Sequence, residues 1–133
     1  MKTLIVEDDY ASRTLMNRIL SPYGHCETAL DGKEAIEAFQ KELTDNNGFD
    51  LVCLDIRMPN MDGQEALVKM RGLEKEHGVK PDNEAKIIMT TALDDPKNII
   101  EALYKSGATS YLVKPITKNK LVDEIRKLNL IEE

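Results

Sequence analysis

Short apolar runs alternate along this chain with longer stretches in which apolar residues recur every three or four positions. The short runs are rich in β-branched and aliphatic residues and are bounded by polar ones, as is typical of fully buried parallel strands. They lie at 3–6, 25–30, 49–54, 86–90 and 110–113. Strands that alternate with helices imply right-handed crossovers and a parallel sheet covered on both faces.

The longer stretches predict five helices, each with one apolar stripe. The stripes are formed by Leu15, Met16, Ile19 and Leu20; by Ala35, Ile36, Phe39 and Leu43; by Ala66, Leu67, Met70 and Leu73; by Ile99, Ile100 and Leu103; and by Leu121, Ile125 and Leu128. Asp95 before Pro96 is expected to cap the fourth helix, which Gly107 closes. Thr117 is expected to cap the fifth helix. The polar segment 76–85 contains glycine and proline and predicts a long loop.

Composition narrows the class of protein. With 133 residues, 41% of them hydrophobic and 32% charged, the chain is predicted to form one soluble domain, 1–133. The net charge of −6 argues against non-specific nucleic-acid binding. No apolar run approaches the roughly 20 residues that span a bilayer, and the amino terminus has no export pattern, so we expect a cytoplasmic protein that does not bind membranes. Cys26 and Cys53 lie in separate apolar runs and are interpreted as small buried hydrophobes, with a disulfide as the alternative.

Three of the predicted strands stop at residues that carry chemistry. The first stops at the acidic run 7–9, the third at Asp55, and the fifth at Lys114, which precedes Pro115. In open α/β sheets, ligands bind in the crevice beyond the carboxyl ends of the strands. If the three strands are neighbours, several carboxylates and one ammonium converge on that crevice, which suits a divalent cation and a phosphoryl group.

The order of these motifs resembles the receiver domain of bacterial two-component response regulators, over essentially the whole chain. The matching segments are Leu-Ile-Val-Glu-Asp-Asp at 4–9, Ala-Leu-Asp-Gly-Lys-Glu-Ala at 29–35, and the segments 50–63, 87–92 and 106–115. The resemblance implies a flavodoxin-like, doubly wound sheet of five parallel strands in the order 2-1-3-4-5, with five helices. It also implies a stand-alone, chemotaxis-type regulator without an output domain.

The resemblance implies that Asp55 is the phosphoacceptor; the alternative is a turn residue ahead of Pro59. An aspartate carboxylate can attack a phosphoryl donor and form an acyl phosphate, and Mg²⁺ suits a site made of carboxylate oxygens and phosphate. The family holds this metal with two acids, the phosphoacceptor and one backbone carbonyl, which falls here on Arg57.

Three consecutive acids stand where the family uses two. The spacings to Arg13 and Gly24 fit the resemblance best if Asp8 binds the metal directly and Glu7 is the outer acid, acting mainly through water. Asp9 is then favoured as the cap of the first helix, with a contribution to the metal site as the alternative.

The resemblance assigns the remaining roles to the ends of the fourth and fifth strands. Lys114 would hold an incoming phosphoryl oxygen, and the family's bond to the following Pro115 is cis. Thr91 matches the hydroxyl that hydrogen-bonds the phosphoryl group; Thr90 competes, but strand alternation turns it to the other face. Tyr111 matches the aromatic switch position, with an ordinary half-exposed strand aromatic as the alternative.

The predicted function is a phosphorylation switch and not an enzyme that turns over a substrate, although it assists its own phosphotransfer and autodephosphorylation. The expected partners are a histidine kinase or phosphotransfer protein and an unknown downstream protein, and the expected state is a monomer or weak dimer. Two lengths depart from the family. The connection from Asp55 to Thr91 is a few residues longer, and one extra residue lies between Ala92 and Gly107, where the fourth helix is predicted.

Two rival functions share the same residue types. A haloacid-dehalogenase-type hydrolase would also form an aspartyl phosphate, but it places a second acid two residues after the nucleophile, where this chain has Arg57. A flavodoxin-like cofactor binder would need hydroxyls and backbone amides in the first loop, which is acidic here. Both rivals fit the sequence less well than the switch.

Overall fold

Strands and helices alternate through the computed structural model, which describes residues 1–46, 48–92 and 96–132. The strands are β1 Thr3–Val6, β2 Cys26–Ala29, β3 Leu51–Asp55, β4 Lys86–Thr91 and β5 Ser110–Val113. The helices are α1 Tyr10–Leu20, α2 Gly32–Asn46, α3 Gly63–Glu76, α4 Pro96–Glu101 and α5 Lys118–Lys127. The strands form one parallel sheet in the order β2-β1-β3-β4-β5, which confirms the predicted topology.

Helices cover both faces of the sheet, as continuous apolar strands require. Val52, Leu54 and Ile87 pack on the face covered by α2, α3 and α4. Cys53 and Ile88 pack on the opposite face, covered by α1 and α5. Because neighbouring strand residues alternate between these two layers, the register of the sheet also decides which side chains reach its carboxyl-terminal edge.

Two predicted strand ends are corrected by the structure. Asp55 was expected to follow the third strand, but it is the last residue of β3 and pairs with Thr90 in register. The fourth strand was expected to end at Thr90, but β4 includes Thr91, which pairs with Val113. In both cases the neighbouring strand continues the parallel ladder by one residue, so the polar residue lies at the rigid strand end.

The helix starts follow capping chemistry. Asp9 accepts a hydrogen bond from the amide of Ser12 at 2.9 Å, and Thr117 caps α5 in the same way, as predicted. At α2, Asp31 caps the helix by accepting from the amide of Glu34 at 2.9 Å, while the Glu34 carboxylate reaches back to accept from the amide of Leu30, one residue before the cap. The predicted cap Asp95 lies outside the described residues.

The fourth helix changes type before it ends. After α4, the chain continues as a π-helical turn, Ala102–Ser106, where a regular helix was predicted up to Gly107. A π turn bonds each residue to the fifth one along and holds one residue more than an α turn. Gly107 then adopts a φ of +89° and donates to the carbonyl of Ala102, so it ends the helix as expected.

A buried ion pair ties the end of α3 to the strand that follows it. Arg71 donates to Glu74 at 2.7 Å, to the carbonyl of Ala85 at 2.9 Å, and to the carbonyl of Gly107 at 2.9 Å. Glu74 in turn accepts from the Ala85 amide at 2.7 Å. These contacts close the long connection predicted at 76–85, which contains a short 3₁₀ turn.

The expectation of buried cysteines is confirmed for Cys53 and wrong for Cys26, which is only half-buried. Cys26 and Cys53 are both free, and burial raises the pKa of the Cys53 thiol to about 12, so this cysteine is inert at neutral pH. Among the described residues, no helix is long and apolar enough to cross a bilayer.

Candidate functional site

The ends of β1, β3 and β5 meet at one side chain. The Lys114 ammonium lies 2.9 Å from Oε1 of Glu7 and 3.0 Å from Oδ2 of Asp55. Both carboxyl groups are buried, with 1% of Glu7 and 4% of Asp55 exposed. Lys114 comes from the strand next to β4, so its side chain reaches across the end of β4 to make these contacts. The convergence expected from the sequence is therefore present, and the Lys114–Pro115 bond is cis as the resemblance implied.

Three carboxylates form a cluster beside this lysine. Glu7, Asp8 and Asp55 each offer one oxygen, and these oxygens lie within 4.8 Å of one another. Asp8 is exposed, whereas the other two are buried. Carboxylates this close repel one another unless a cation lies between them, and hard oxygen donors of this kind suit Mg²⁺. The cluster faces a cavity of about 200 Å³ that Asp9 and Arg57 also line.

Burial and neighbouring charges act on the two ends of the ion pair in different ways. Burial raises the pKa of Glu7, the nearby Asp55 raises it further, and Lys114 only partly offsets these effects. For Lys114, burial opposes the charged form, but hydrogen bonds and charge attraction from Glu7 and Asp55 outweigh it and raise its pKa. The lysine thus stays cationic, while Glu7 pays a desolvation cost that a bound cation would reduce.

Two threonines at the end of β4, Thr90 and Thr91, and Tyr111 in β5 differ in how close they lie to this cavity. Thr91 is buried, lines the cavity and donates to the carbonyl of Ala92 at 3.3 Å, whereas Thr90 is not among the residues lining the cavity. Tyr111 pairs with Met89 in the sheet and its side chain is 43% exposed, outside the cavity. The choice of Thr91 over Thr90 thus agrees with strand alternation. The switch roles of Thr91 and Tyr111 stay predictions.

The loop after Asp55 is held close to the site. The Arg57 amide donates to Oδ1 of Asp55 at 3.3 Å, and the Gly63 amide donates to the carbonyl of Ile56 at 2.7 Å. Arg57 therefore lines the cavity beside Asp55, where the resemblance placed a metal-binding carbonyl. Leu93, two residues after Thr91, lies outside the described residues.

Gly63 is required by the close approach of α3 to β3. A Cβ at Gly63 would overlap the carbonyl oxygen of Asp55 and lie 2.8 Å from the Cα of Ile56. We expect Gly63→Ala to lower the free energy of unfolding by about 1–3 kcal/mol, since helix and strand must separate. Gly72→Ala in the same helix meets no atom within 4 Å and should stabilise by about 0.5–1 kcal/mol. Urea unfolding of both variants checks this, and equal effects would contradict it.

Asp9 has two possible roles that a conservative substitution separates. Its carboxylate accepts from the Ser12 amide, which lowers its pKa, and this use as a cap competes with metal binding. Asp9→Asn keeps a capping oxygen but removes the charge, so we expect the Mg²⁺ dissociation constant to change less than about three-fold. Asp8→Asn should weaken Mg²⁺ binding far more. Calorimetric titration of both variants checks this, and equal losses would make Asp9 a ligand.

Sequence reasoning used Arg13 only as a spacing marker and missed its contacts. Its guanidinium Nη1 donates to the carbonyl of Glu7 at 2.9 Å and to that of Asp8 at 3.3 Å. The guanidinium carbon lies 5.6 Å from the centre of the Tyr10 ring. An arginine one helical turn after the acidic run was the available signal, because such a residue can reach back to the loop before the helix.

Known proteins share both the sequence pattern and the fold. The family model for the response regulator receiver domain matches residues 3–126. The chemotaxis protein CheY of Thermotoga maritima is 32% identical over 130 residues, which cover 96% of this chain and 97% of that protein. The probable transcriptional regulator ycf27 of Guillardia theta is 37% identical over 126 residues, but the match spans 94% of this chain and only 44% of that protein.

Two solved structures show the same architecture. Chemotaxis protein CheY4 of Vibrio cholerae is 28% identical, with a TM-score of 0.75 and coverage of 95% of this chain and 96% of that one. The receiver domain of the histidine kinase CKI1 from Arabidopsis thaliana, complexed with Mg²⁺ and BeF₃⁻, is 29% identical, with a TM-score of 0.82 and coverage of 96% and 89%. With its sheet order, its acid cluster and the match over 3–126, this chain belongs to the response regulator receiver domain family of two-component systems.

Proposed function

We propose that this protein is a stand-alone response regulator that accepts a phosphoryl group on Asp55 and thereby switches a protein-binding surface. The observation that carries the proposal is the contact of Asp55 with Lys114 at 3.0 Å, beside the carboxylates of Glu7 and Asp8. A nucleophile, a fixed cation and a second group of acids at one strand edge are the parts that phosphoryl transfer needs.

The transfer itself is a displacement at phosphorus. A carboxylate oxygen of Asp55 forms the new O–P bond while the bond from phosphorus to the donor's imidazole nitrogen breaks, and that nitrogen keeps the electron pair. The Lys114 ammonium donates to the phosphoryl oxygens on which negative charge is concentrated. Thr91, at the end of β4, also lines the cavity and supplies a hydroxyl for the phosphoryl group.

Mg²⁺ is the cofactor that fits the donor set. Glu7, Asp8, Asp55 and the Arg57 carbonyl would hold it, with Glu7 acting mainly through water because it already pairs with Lys114. Bound Mg²⁺ supplies charge neutralisation and orients the phosphoryl oxygens. Two similar solved structures support Mg²⁺ as the cofactor. The CKI1 receiver domain, 29% identical, and a CheX–CheY complex from Borrelia burgdorferi, 27% identical, were both solved with Mg²⁺ and BeF₃.

The switch would use the residues beyond the phosphoacceptor. A phosphoryl group on Asp55 draws the Thr91 hydroxyl toward the site, and the space it leaves lets the half-exposed Tyr111 turn inward. The surface formed by α4, β5 and α5 is thereby biased toward its partner-bound form. Energetically, the new charge shifts a pre-existing equilibrium between two states.

The partners we propose are a histidine kinase or phosphotransfer protein upstream and a separate protein downstream, in the cytoplasm, with the regulator a monomer or weak dimer. A segment that makes up 9% of the osmosensing histidine protein kinase SLN1 of Saccharomyces cerevisiae matches 91% of this chain at 30% identity, and the Borrelia CheY was solved with CheX. The net charge of −6 disfavours a direct role in binding nucleic acid or anionic membranes.

The proposal is tested by intact-mass spectrometry after incubation with a small-molecule acyl phosphate, with and without Mg²⁺. We expect one phosphoryl group per chain with Mg²⁺, and little or none after the metal is chelated. Release of phosphate from a generic phosphate ester over many turnovers would instead support a hydrolase. A protein that is never labelled under either condition would end the proposal.

A further inference from the structure

We propose that Arg13 is a positioning residue for the cation site and that it supports metal binding through geometry, against the effect of its own charge. The inference rests on the proposed function, because it requires a divalent cation to bind among the carboxylates of Glu7, Asp8 and Asp55.

Arg13 holds two consecutive carbonyl groups of the loop that carries the acids. The loop lies between the end of β1 at Val6 and the start of α1 at Tyr10. One guanidinium nitrogen donates to the carbonyl of Glu7 at 2.9 Å and to that of Asp8 at 3.3 Å. Fixing the peptide groups on both sides of the Asp8 Cα restricts the direction in which that exposed side chain leaves the loop.

The arginine is itself held at both ends. Its backbone amide donates to the carbonyl of Asp9 at 2.9 Å as part of the first turn of α1. Its guanidinium carbon lies 5.6 Å from the centre of the Tyr10 ring, within range of a cation–π contact. The helix, the half-buried side chain and the loop therefore form one closed ring of contacts, and the planar guanidinium loses little freedom by joining it.

Charge and geometry make opposite predictions for this residue. The positive charge of Arg13 repels Mg²⁺ bound at the nearby acid cluster. By charge alone, the loss of Arg13 should therefore tighten Mg²⁺ binding. If its hydrogen bonds instead pre-arrange Asp8, the loss should weaken binding, because groups that orient metal ligands typically contribute about ten-fold or more to affinity. The sign of the change in affinity therefore decides between the two.

The experiment is a calorimetric Mg²⁺ titration of the wild-type protein, Arg13→Gln, Arg13→Lys and Arg18→Gln. Arg18 is an exposed arginine further along the same helix, so its substitution changes the net charge equally without touching the loop. We expect Arg13→Gln to raise the dissociation constant about ten-fold and Arg18→Gln to leave it within about two-fold. Arg13→Lys, which restores a donor, should recover part of the loss.

Two further readouts separate positioning from general damage. Backbone amide signals of Asp8 and Asp9 should shift in metal-free Arg13→Gln, while the thermal midpoint stays close to that of Arg18→Gln. Arg13→Gln binding Mg²⁺ as tightly as wild type, or more tightly, would overturn the inference, as would Arg13→Lys binding no better than Arg13→Gln. Wild-type protein that binds no Mg²⁺ would overturn the proposed function instead.

Discussion

Asp55→Asn is expected to abolish phosphorylation by a small-molecule donor or a cognate kinase. The carboxamide cannot form the acyl phosphate, and the other carboxylates among the described cavity-lining residues have other roles: Glu7 pairs with Lys114, Asp9 caps α1, and Asp8 is proposed to bind the metal. Loss of a covalent nucleophile typically costs three or more orders of magnitude in rate, so we expect labelling to fall by about a thousand-fold or more. Phosphoryl incorporation followed by intact mass gives the measurement.

The fold should survive this substitution, which makes the result interpretable. The asparagine side chain has the same shape as the native aspartate, and Lys114 keeps its contact with Glu7 at 2.9 Å. Removal of the neighbouring charge also relieves one of the effects that raise the Glu7 pKa. Asp82→Asn, on an exposed 3₁₀ turn, is the matched control and should label like wild type. Equal labelling of Asp55→Asn and wild type would show that the phosphoacceptor lies elsewhere.

Arg71→Met is expected to produce the largest loss of stability among the substitutions considered, about 3–5 kcal/mol. Met fills much of the same volume but leaves the Glu74 carboxylate, whose side chain is 2% exposed, without its cation at 2.7 Å. The buried carbonyl of Ala85 also loses its donor from Arg71, and an unpaired buried acceptor is costly, whereas the exposed Gly107 carbonyl can bond water instead. Urea unfolding at neutral pH measures the change.

A control and a double variant identify the cause. Lys75→Met, on the exposed face of the same helix, should change the free energy of unfolding by less than about 0.5 kcal/mol. The double variant Arg71→Met/Glu74→Gln should lose less free energy of unfolding than the sum of the losses in the two single variants. The reason is that the double variant leaves no buried charge unpaired. Strict additivity, or a loss for Lys75→Met as large as that for Arg71→Met, would contradict this explanation.

Local sequence patterns were enough to predict the strands and helices and to place most of the site residues at strand ends. A short, continuous aliphatic run is typical of a parallel strand that is buried on both faces of the sheet. Because the acids and Lys114 stand directly after such runs, their positions at strand ends could be predicted from the runs alone. The caps Asp9 and Thr117 were predictable because a cap is a contact between residues three apart. The sheet order came from resemblance and not from periodicity, which carries no information about strand neighbours.

Tertiary structure alone decided which of these groups touch. Lys114 pairs with Glu7 and Asp55, rather than with the exposed Asp8, because the reach of a side chain across β4 depends on the spacing of three strands. The π turn at the end of the fourth helix, with Ala102 buried in the core, was likewise not visible in the sequence pattern, which predicted a regular helix up to Gly107. Contacts between residues far apart in the chain depend on how packed layers sit against one another, and a one-dimensional pattern does not encode those distances.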